Sequence, residues 1–393
     1  MRAKDGGWLS GPAEEQDTVA TEISNLLHHL TTAVSAAQPT SLHGALYTSE
    51  SFFQHERLST LAQGWHCLGR ADEIPMPGDF LTATILDEPL IAVRGTDEQI
   101  RVLSNLCRHR NMPLVQGRGQ TKRFLCPYHA WSYRLDGRLL RAPHMDQESF
   151  APETCRLPEF QSTVWNGFLW IRLDDPAAPF ETGLEDLNTL ISPFEPGRYE
   201  IVHAEEEIWR CNWKSLVENF MEGYHLSVVP QTKLRGCAPA ELSRTGPSGP
   251  AFTSYIANYP ESIASRGQGA PGLSDHQRHS STLFCVYPGM VASISANLLV
   301  ALMLRPIDPD QVLVRWTMSI YPEECDDDLI AQRIALWQEV NREDREKLEL
   351  MQKGFRSRHA IAGPLAGDDL EGTIHDFHQY LARKLSVSDP ALQ

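Results

Sequence analysis

The sequence predicts an α+β chain of two domains, an N-terminal all-β module and a larger C-terminal domain of mixed strands and helices. Three observations lead there. A length of 393 residues is long for one domain and comfortable for two, each with its own core. From Cys67 to Leu173 the texture is short β-rich runs broken by turn residues. From about Phe180 onward, strand-like and helix-like segments are interspersed, after a linker at Asp174-Asp175-Pro176-Ala177-Ala178-Pro179.

Taken in order, Glu14 to Ala37 has helical spacing (Val19, Ile23, Leu26, Leu27, Leu30, Val34) and ends before Gln38-Pro39. Tyr47 to Trp65 reads as a second helix, with Ser49 as N-cap and Phe52, Phe53, Leu58 and Leu61 as its apolar face. In the β module the runs Phe80–Leu86, Leu90–Arg94, Trp131–Leu135 and Phe168–Arg172 read as strands, and Asp136-Gly137 as a hairpin turn. Beyond the linker, Ile201 to Trp209 reads as a strand, Asn212 to Val228 as one helix, and the Gly/Pro/Ser-rich Gly246 to Gly272 as a loop or lid. Strands are expected at Thr282–Tyr287, Val291–Ile294, Leu298–Leu304 and Val312–Tyr321, then a long helix from Leu329 to about Gly354 and a shorter one near His375–Leu385. The expected partition is 1–46 as a helical extension, 47–175 as the β module with its preceding helix, and 180–393 as the second domain.

Composition narrows the function classes. A hydrophobic content of 41% with 22% charged residues is that of a soluble globular protein. The formal net charge of −16 argues against nucleic acid, whose phosphates need a basic surface. No apolar run approaches the ~20 residues needed to span a bilayer. Glu14, Glu15 and Asp17 near the start do not read as a secretory signal, and a cytoplasmic location is expected. Of the eight Cys, six (Cys67, Cys155, Cys211, Cys237, Cys285 and Cys325) have no framework spacing and read as small buried residues.

The remaining two Cys carry the chemistry. Cys107-Arg108-His109 is followed, after sixteen intervening residues, by Cys126-Pro127-Tyr128-His129. Each short cluster offers one thiolate and one imidazole, which suits two irons that each take one residue from each loop. Imidazole in place of thiolate on one iron of a [2Fe–2S] cluster raises its reduction potential. Structural zinc is the competing reading, but it keeps like ligands together, C-x₂₋₄-C then H-x₃₋₅-H. On these residues the chain resembles the Rieske non-haem iron oxygenases, in their catalytic α-subunit. The resemblance implies Cys107, His109, Cys126 and His129 as cluster ligands. It also implies an all-β Rieske domain followed by a helix-grip (START/SRPBCC-like) catalytic domain, an antiparallel sheet curled around helices.

A second stretch extends the resemblance. Asn212-Trp213-Lys214…Glu218-Asn219…Glu222-Gly223-Tyr224-His225 is similar to the family's mononuclear-iron helix, N-W-K…E-N-x-x-[DE]-x-Y-H-x₄-H. On a continuous helix Glu218, Glu222 and His225 share one face. Oxygen-activating Fe(II) takes two His and one carboxylate, leaving positions open. By resemblance His225 is one ligand and Asp344, within Asn341-Arg342-Glu343-Asp344-Arg345, is the carboxylate. The second His is expected five residues after His225, and that position is Pro230. Three explanations stay open: another group (Gln231, His203, His276 or His279) fills the place, the iron binds with water there, or the subunit is silent beside a competent partner.

The resemblance implies an oxygenase that uses O₂ and NAD(P)H electrons, delivered by a separate flavin/iron–sulfur reductase and in some members a ferredoxin. Electrons pass from the Rieske cluster to the mononuclear iron of a neighbouring subunit in a homotrimer or a multiple of it. It makes Glu222 the bridge to a Rieske His, Asn219 an outer hydrogen-bonding group, and Tyr224 a support. The expected substrate is a small organic molecule, a quaternary ammonium compound or an aromatic acid, hydroxylated or oxidatively demethylated. The strand Val291–Leu304 is expected to wall the pocket. The alternative is a non-catalytic Rieske electron-transfer or partner subunit.

Overall fold

The computed structural model describes residues 13–145, 150–174, 179–228, 239–263, 265, 267–322 and 325–386. The N-terminal β module is one seven-stranded antiparallel sheet plus a three-stranded one. The larger runs in the order Trp65–Arg70, Phe168–Arg172, Glu159–Trp165, Ile100–Ser104, Glu88–Arg94, Asp79–Ile85, Arg118–Gln120. The smaller joins Phe124–Leu125, Ser132–Tyr133 and Leu139–Arg141, and it carries the second Cys/His cluster at its edge. The C-terminal domain is a second seven-stranded antiparallel sheet in the order Glu200–Trp209, Gln311–Ile320, Leu298–Asp308, Met290–Ser295, Ser280–Val286, Phe252–Asn258, Ser243–Thr245. Helices Asp327–Phe355 and Asp368–Ser386 pack with this sheet, as the α+β reading requires.

Three expectations need correction. The Gly246–Gly272 stretch is not all loop, because Phe252–Asn258 is an inner strand of the catalytic sheet. The helix expected from Tyr47 to Trp65 is an α-helix at Glu50–Glu56 that widens into a π-turn over Arg57–Leu61 and ends before the strand at Trp65. The third matters most. Asn212 to Val228 is two helices, Trp213–Phe220 and Tyr224–Val228, with Met221, Glu222 and Gly223 between them. The break is held by packing from elsewhere. The Thr373 hydroxyl donates to the Met221 carbonyl, and a Cβ on Gly223 would stand 2.8 Å from Ser243 Oγ. Without that break Glu218, Glu222 and His225 would share a face. With it, Glu218 points one way and the other two point another.

The N-terminal segment buries against the catalytic domain. Leu26, Leu27, Leu30, Leu46, Phe52, Phe53 and Leu61 lie in one core with Trp213, Leu216, Phe377 and Leu381. At its centre Lys214 Nζ pairs with Glu56 at 2.7 Å, both side chains essentially inaccessible, with the ammonium near the faces of Tyr47, Phe52 and Trp213. Burial pushes the Glu56 carboxyl up, and Lys214 opposes it. Lys214→Met leaves Glu56 alone in an apolar core and is expected to cost about 3–5 kcal/mol in denaturant unfolding.

The two domains are tied by charge as well. Glu73, its side chain fully buried, is shared by Arg315 and Arg118, and buried Arg70 donates to the carbonyls of Pro196 and Tyr199. Nearby His66 is buried, its Nε2 2.7 Å from the Leu61 carbonyl, and burial lowers its pKa from 6.5 to about 4. Between those two values the unfolded chain holds the extra proton, so stability is full above pH 6.5 and falls as pH drops towards 4. Acidification across that window is expected to remove about 3 kcal/mol. A His66→Gln variant, compared by denaturant unfolding at pH 7 and pH 4, should lack this contribution.

Candidate metal centres

The two Cys/His loops are near copies of each other. In the first, Cys107 N–H donates to the Met112 carbonyl and Asn111 N–H to that of Cys107. In the second, Cys126 N–H donates to Trp131 and Ala130 N–H to Cys126. Each loop turns on a left-handed residue four positions after its Cys, Asn111 (φ 54°) and Ala130 (φ 57°). An Ala held in that conformation costs of order 1–3 kcal/mol, so the surrounding structure enforces the turn. The thiols of Cys107 and Cys126 are buried, while His109 and His129 are exposed, their rings 4.7 Å apart. His109 stacks on Trp131 at 4.9 Å, and Tyr128 lies against His129 at 3.8 Å. Burial pushes the Cys107 thiol up, and the Tyr133 hydroxyl, 3.3 Å from its sulfur, pulls it back. Inner thiols paired on one side and outer imidazoles paired on the other is the arrangement a two-iron cluster needs, two protein ligands per iron. Zinc would need all four groups to converge on one point, whereas here the Cys lie inside and the His outside.

The second centre forms around the helix break. A cavity of about 50 Å³ is lined by Asn219, Phe220, Glu222, His225, Leu226, Tyr255, Leu283, Trp337, Val340, Glu343 and Asp344. His225 comes from Tyr224–Val228, and Asp344 from Asp327–Phe355. Asn212 ties the preceding helix, Trp213–Phe220, to the long helix. Its N–H donates to Gln352 Oε1, its Nδ2 donates to the carbonyls of Tyr47 and Pro309, and its Oδ1 caps the motif helix at Lys214 N–H. Glu222 Oε1 accepts from His225 Nδ1 at 2.5 Å, which fixes the tautomer and leaves Nε2 free for a metal. Burial alone would lower the His225 pKa, but Glu222 and then Asp344 hold it above its ordinary value. Burial raises the Asp344 carboxyl.

Asn219 also lines the cavity, whereas Tyr224 is 45% exposed and is not part of the lining. Glu218 turns away to accept from the Tyr47 hydroxyl at 2.8 Å and from His378 Nε2 at 2.9 Å, a structural role. Pro230 and Gln231 lie outside the described residues. The fold does not bring the other proposed histidines to the cavity. His203 pairs with Glu205 and packs on Trp316, and His279 meets the Asp275 carbonyl. The wall is not the strand running from Val291 to Leu304 either. Tyr255 and Leu283 of two neighbouring strands line the cavity, together with Trp337 of the long helix. A Tyr at 255 and a Trp at 337 look like core residues in sequence, and only their position over the break shows otherwise.

Residues 64–161 match the Rieske [2Fe–2S] domain, and residues 196–387 match the ring hydroxylating alpha subunit (catalytic domain). The chain belongs to the Rieske non-haem iron oxygenases, as a catalytic α-subunit. It is similar to the carnitine monooxygenase oxygenase subunit of Acinetobacter baumannii, 28% identical over 340 residues that cover 79% of this chain and 84% of that protein. It is also similar to the chloroplastic choline monooxygenase of Spinacia oleracea, 24% identical over 381 residues, covering 94% and 83%. The crystal structure of naphthalene 1,2-dioxygenase from Rhodococcus sp. superposes with a TM-score of 0.81 at 18% identity, covering 95% of this chain and 99% of that one, so the fold is shared. This Rieske oxygenase is therefore an enzyme whose cofactors are a [2Fe–2S] cluster and a mononuclear iron. Among the described residues, no helix is long and apolar enough to cross a membrane.

Proposed function

We propose that this Rieske oxygenase hydroxylates or oxidatively demethylates a small quaternary ammonium compound, with Cys107, His109, Cys126 and His129 holding the cluster and His225 and Asp344 holding the mononuclear iron. When bound, the cluster supplies single electrons and the mononuclear iron supplies the site for O₂ chemistry. The observation that carries the substrate class is the cavity lining. Three aromatic rings (Phe220, Tyr255, Trp337) meet the Glu343 carboxylate beside the assigned metal ligands. That lining favours a cation, whose charge both ring faces and carboxylates attract. The names of the carnitine and choline relatives point the same way.

Electrons from NAD(P)H enter in this reading through a separate reductase, with a ferredoxin between them if one is used. None of the cluster-loop residues lines the cavity, and His109 and His129 face solvent. Their exposure supports a reading in which they meet the Glu222 side of a neighbouring subunit, in a homotrimer or a multiple of it.

Two measurements on anaerobically purified protein test the proposal. An iron count should give about three per chain, two in the cluster and one more. With a reductase and NADH, O₂ uptake should rise with carnitine, choline or a betaine and not with naphthalene or benzoate. A count of about two with no substrate-dependent uptake overturns it in favour of an electron-transfer or partner subunit.

A further inference from the structure

On the long helix, Lys347 stands three residues after Asp344, on the same face, with Nζ 3.6 Å from the Asp344 carboxylate. The other cations of this stretch are hydrogen-bonded to carboxylates. Arg342 holds Glu339 and Glu346, and Arg345 holds Glu207 and Glu349. Lys347 differs from them. Its Nζ is buried and, among the described residues, makes no hydrogen bond, although the stem is partly exposed. A buried ammonium with three unused donors is expensive. Its electrostatic partner is the carboxylate assigned above to the iron, and its charge is also felt at His225. Glu222, the other acid at this spot, is already engaged by His225. The family's second His is absent from its expected place, where Pro230 stands.

We propose that Lys347 is a built-in competitor for the mononuclear iron: its ammonium holds the Asp344 carboxylate when the metal is away and weakens metal binding at a centre where Pro230 stands in place of the family's second His. The proposal rests on the assignment of His225 and Asp344 as iron ligands. A metal on Asp344 has this ammonium as a near neighbour. A unit charge within several ångströms of a divalent ion weakens its binding by about tenfold even under the screening of bulk water. If the long, partly exposed stem swings outward on loading, the ammonium gives up its pairing with Asp344 instead, so the competition holds in either position.

The experiment is an anaerobic Fe(II) titration of full-length protein stripped of mononuclear iron, with Rieske absorbance confirming an intact cluster. Binding is read as iron retained after equilibrium dialysis, so no turnover is involved. Lys347→Met and Lys347→Gln are expected to bind Fe(II) about tenfold more tightly than the parent, and Lys347→Arg to stay close to it. Equal or weaker binding in the neutral variants overturns the proposal, and weaker binding would make the amine a ligand instead. Should the Met variant fail to fold, the Gln variant decides. Asp344→Asn separates the two levels of argument. If it binds Fe(II) as well as the parent does, the iron assignment fails. If it loses Fe(II) while the lysine variants match the parent, only the role of Lys347 fails.

Discussion

Glu222→Gln is expected to leave both metals bound and to lower substrate-coupled turnover by about 100-fold, the upper end of what losing a group behind a metal-bound imidazole costs. The side chain accepts from His225 Nδ1 at 2.5 Å, and a glutamine oxygen can still accept there. The variant therefore keeps the ring orientation and loses the charge. The Glu222 hydrogen bond and then its charge hold the His225 pKa up against burial, with Asp344 adding to them. The charge is also what Glu222 would present to a Rieske histidine of the neighbouring subunit. Iron analysis and the cluster's visible spectrum should be unchanged while product formation falls. A variant with full activity would show that Glu222 only orients the ring, and Glu222→Ala, which removes the acceptor as well, should then lose iron.

Cys107→Ala or Cys126→Ala is expected to remove the cluster altogether, dropping the iron count from about three to about one and bleaching the protein. Cys107 and Cys126 sit at the bottom of their loops, 1% and 2% exposed, where bulk water has little access to a lost coordination position. The histidines are outside and exposed, so the double removal of His109 and His129 should also bleach the protein while leaving the fold of the module intact. Its core of Phe80, Leu103, Phe124, Trp131 and Tyr133 does not depend on those rings. Visible absorbance and circular dichroism check the two halves of that statement separately. A protein that kept its colour without both histidines would not be holding its cluster as described.

The cluster loops were legible because each is a local object. The four proposed ligands lie within 23 residues, on turns whose conformation is set by neighbours in sequence, so their spacing was readable and, with the family resemblance, carried the proposed ligand set. The motif around Asn212 was legible as a motif but not as geometry. Read as one helix it put Glu218 in the site with Glu222 and His225. The chain breaks at Met221–Gly223, because Thr373 takes the Met221 carbonyl and Ser243 crowds Gly223. Those partners lie 152 and 20 residues away along the chain, and no helical periodicity contains them. Tyr47 and His378, 171 and 160 residues from Glu218, decide that this acid is structural.

By itself the sequence determined the two-domain α+β order, the strands that carry the cluster loops, and the pairing of thiolate with imidazole. Composition, turn chemistry and ligand spacing act over a few residues. Only the tertiary structure decided which acids face the mononuclear centre, that Tyr255, Leu283 and Trp337 wall it, and that Lys347 reaches Asp344 without a hydrogen bond. Those outcomes depend on where remote segments pack, and burial sets the energy of a charge by its surroundings rather than by its neighbours in the chain.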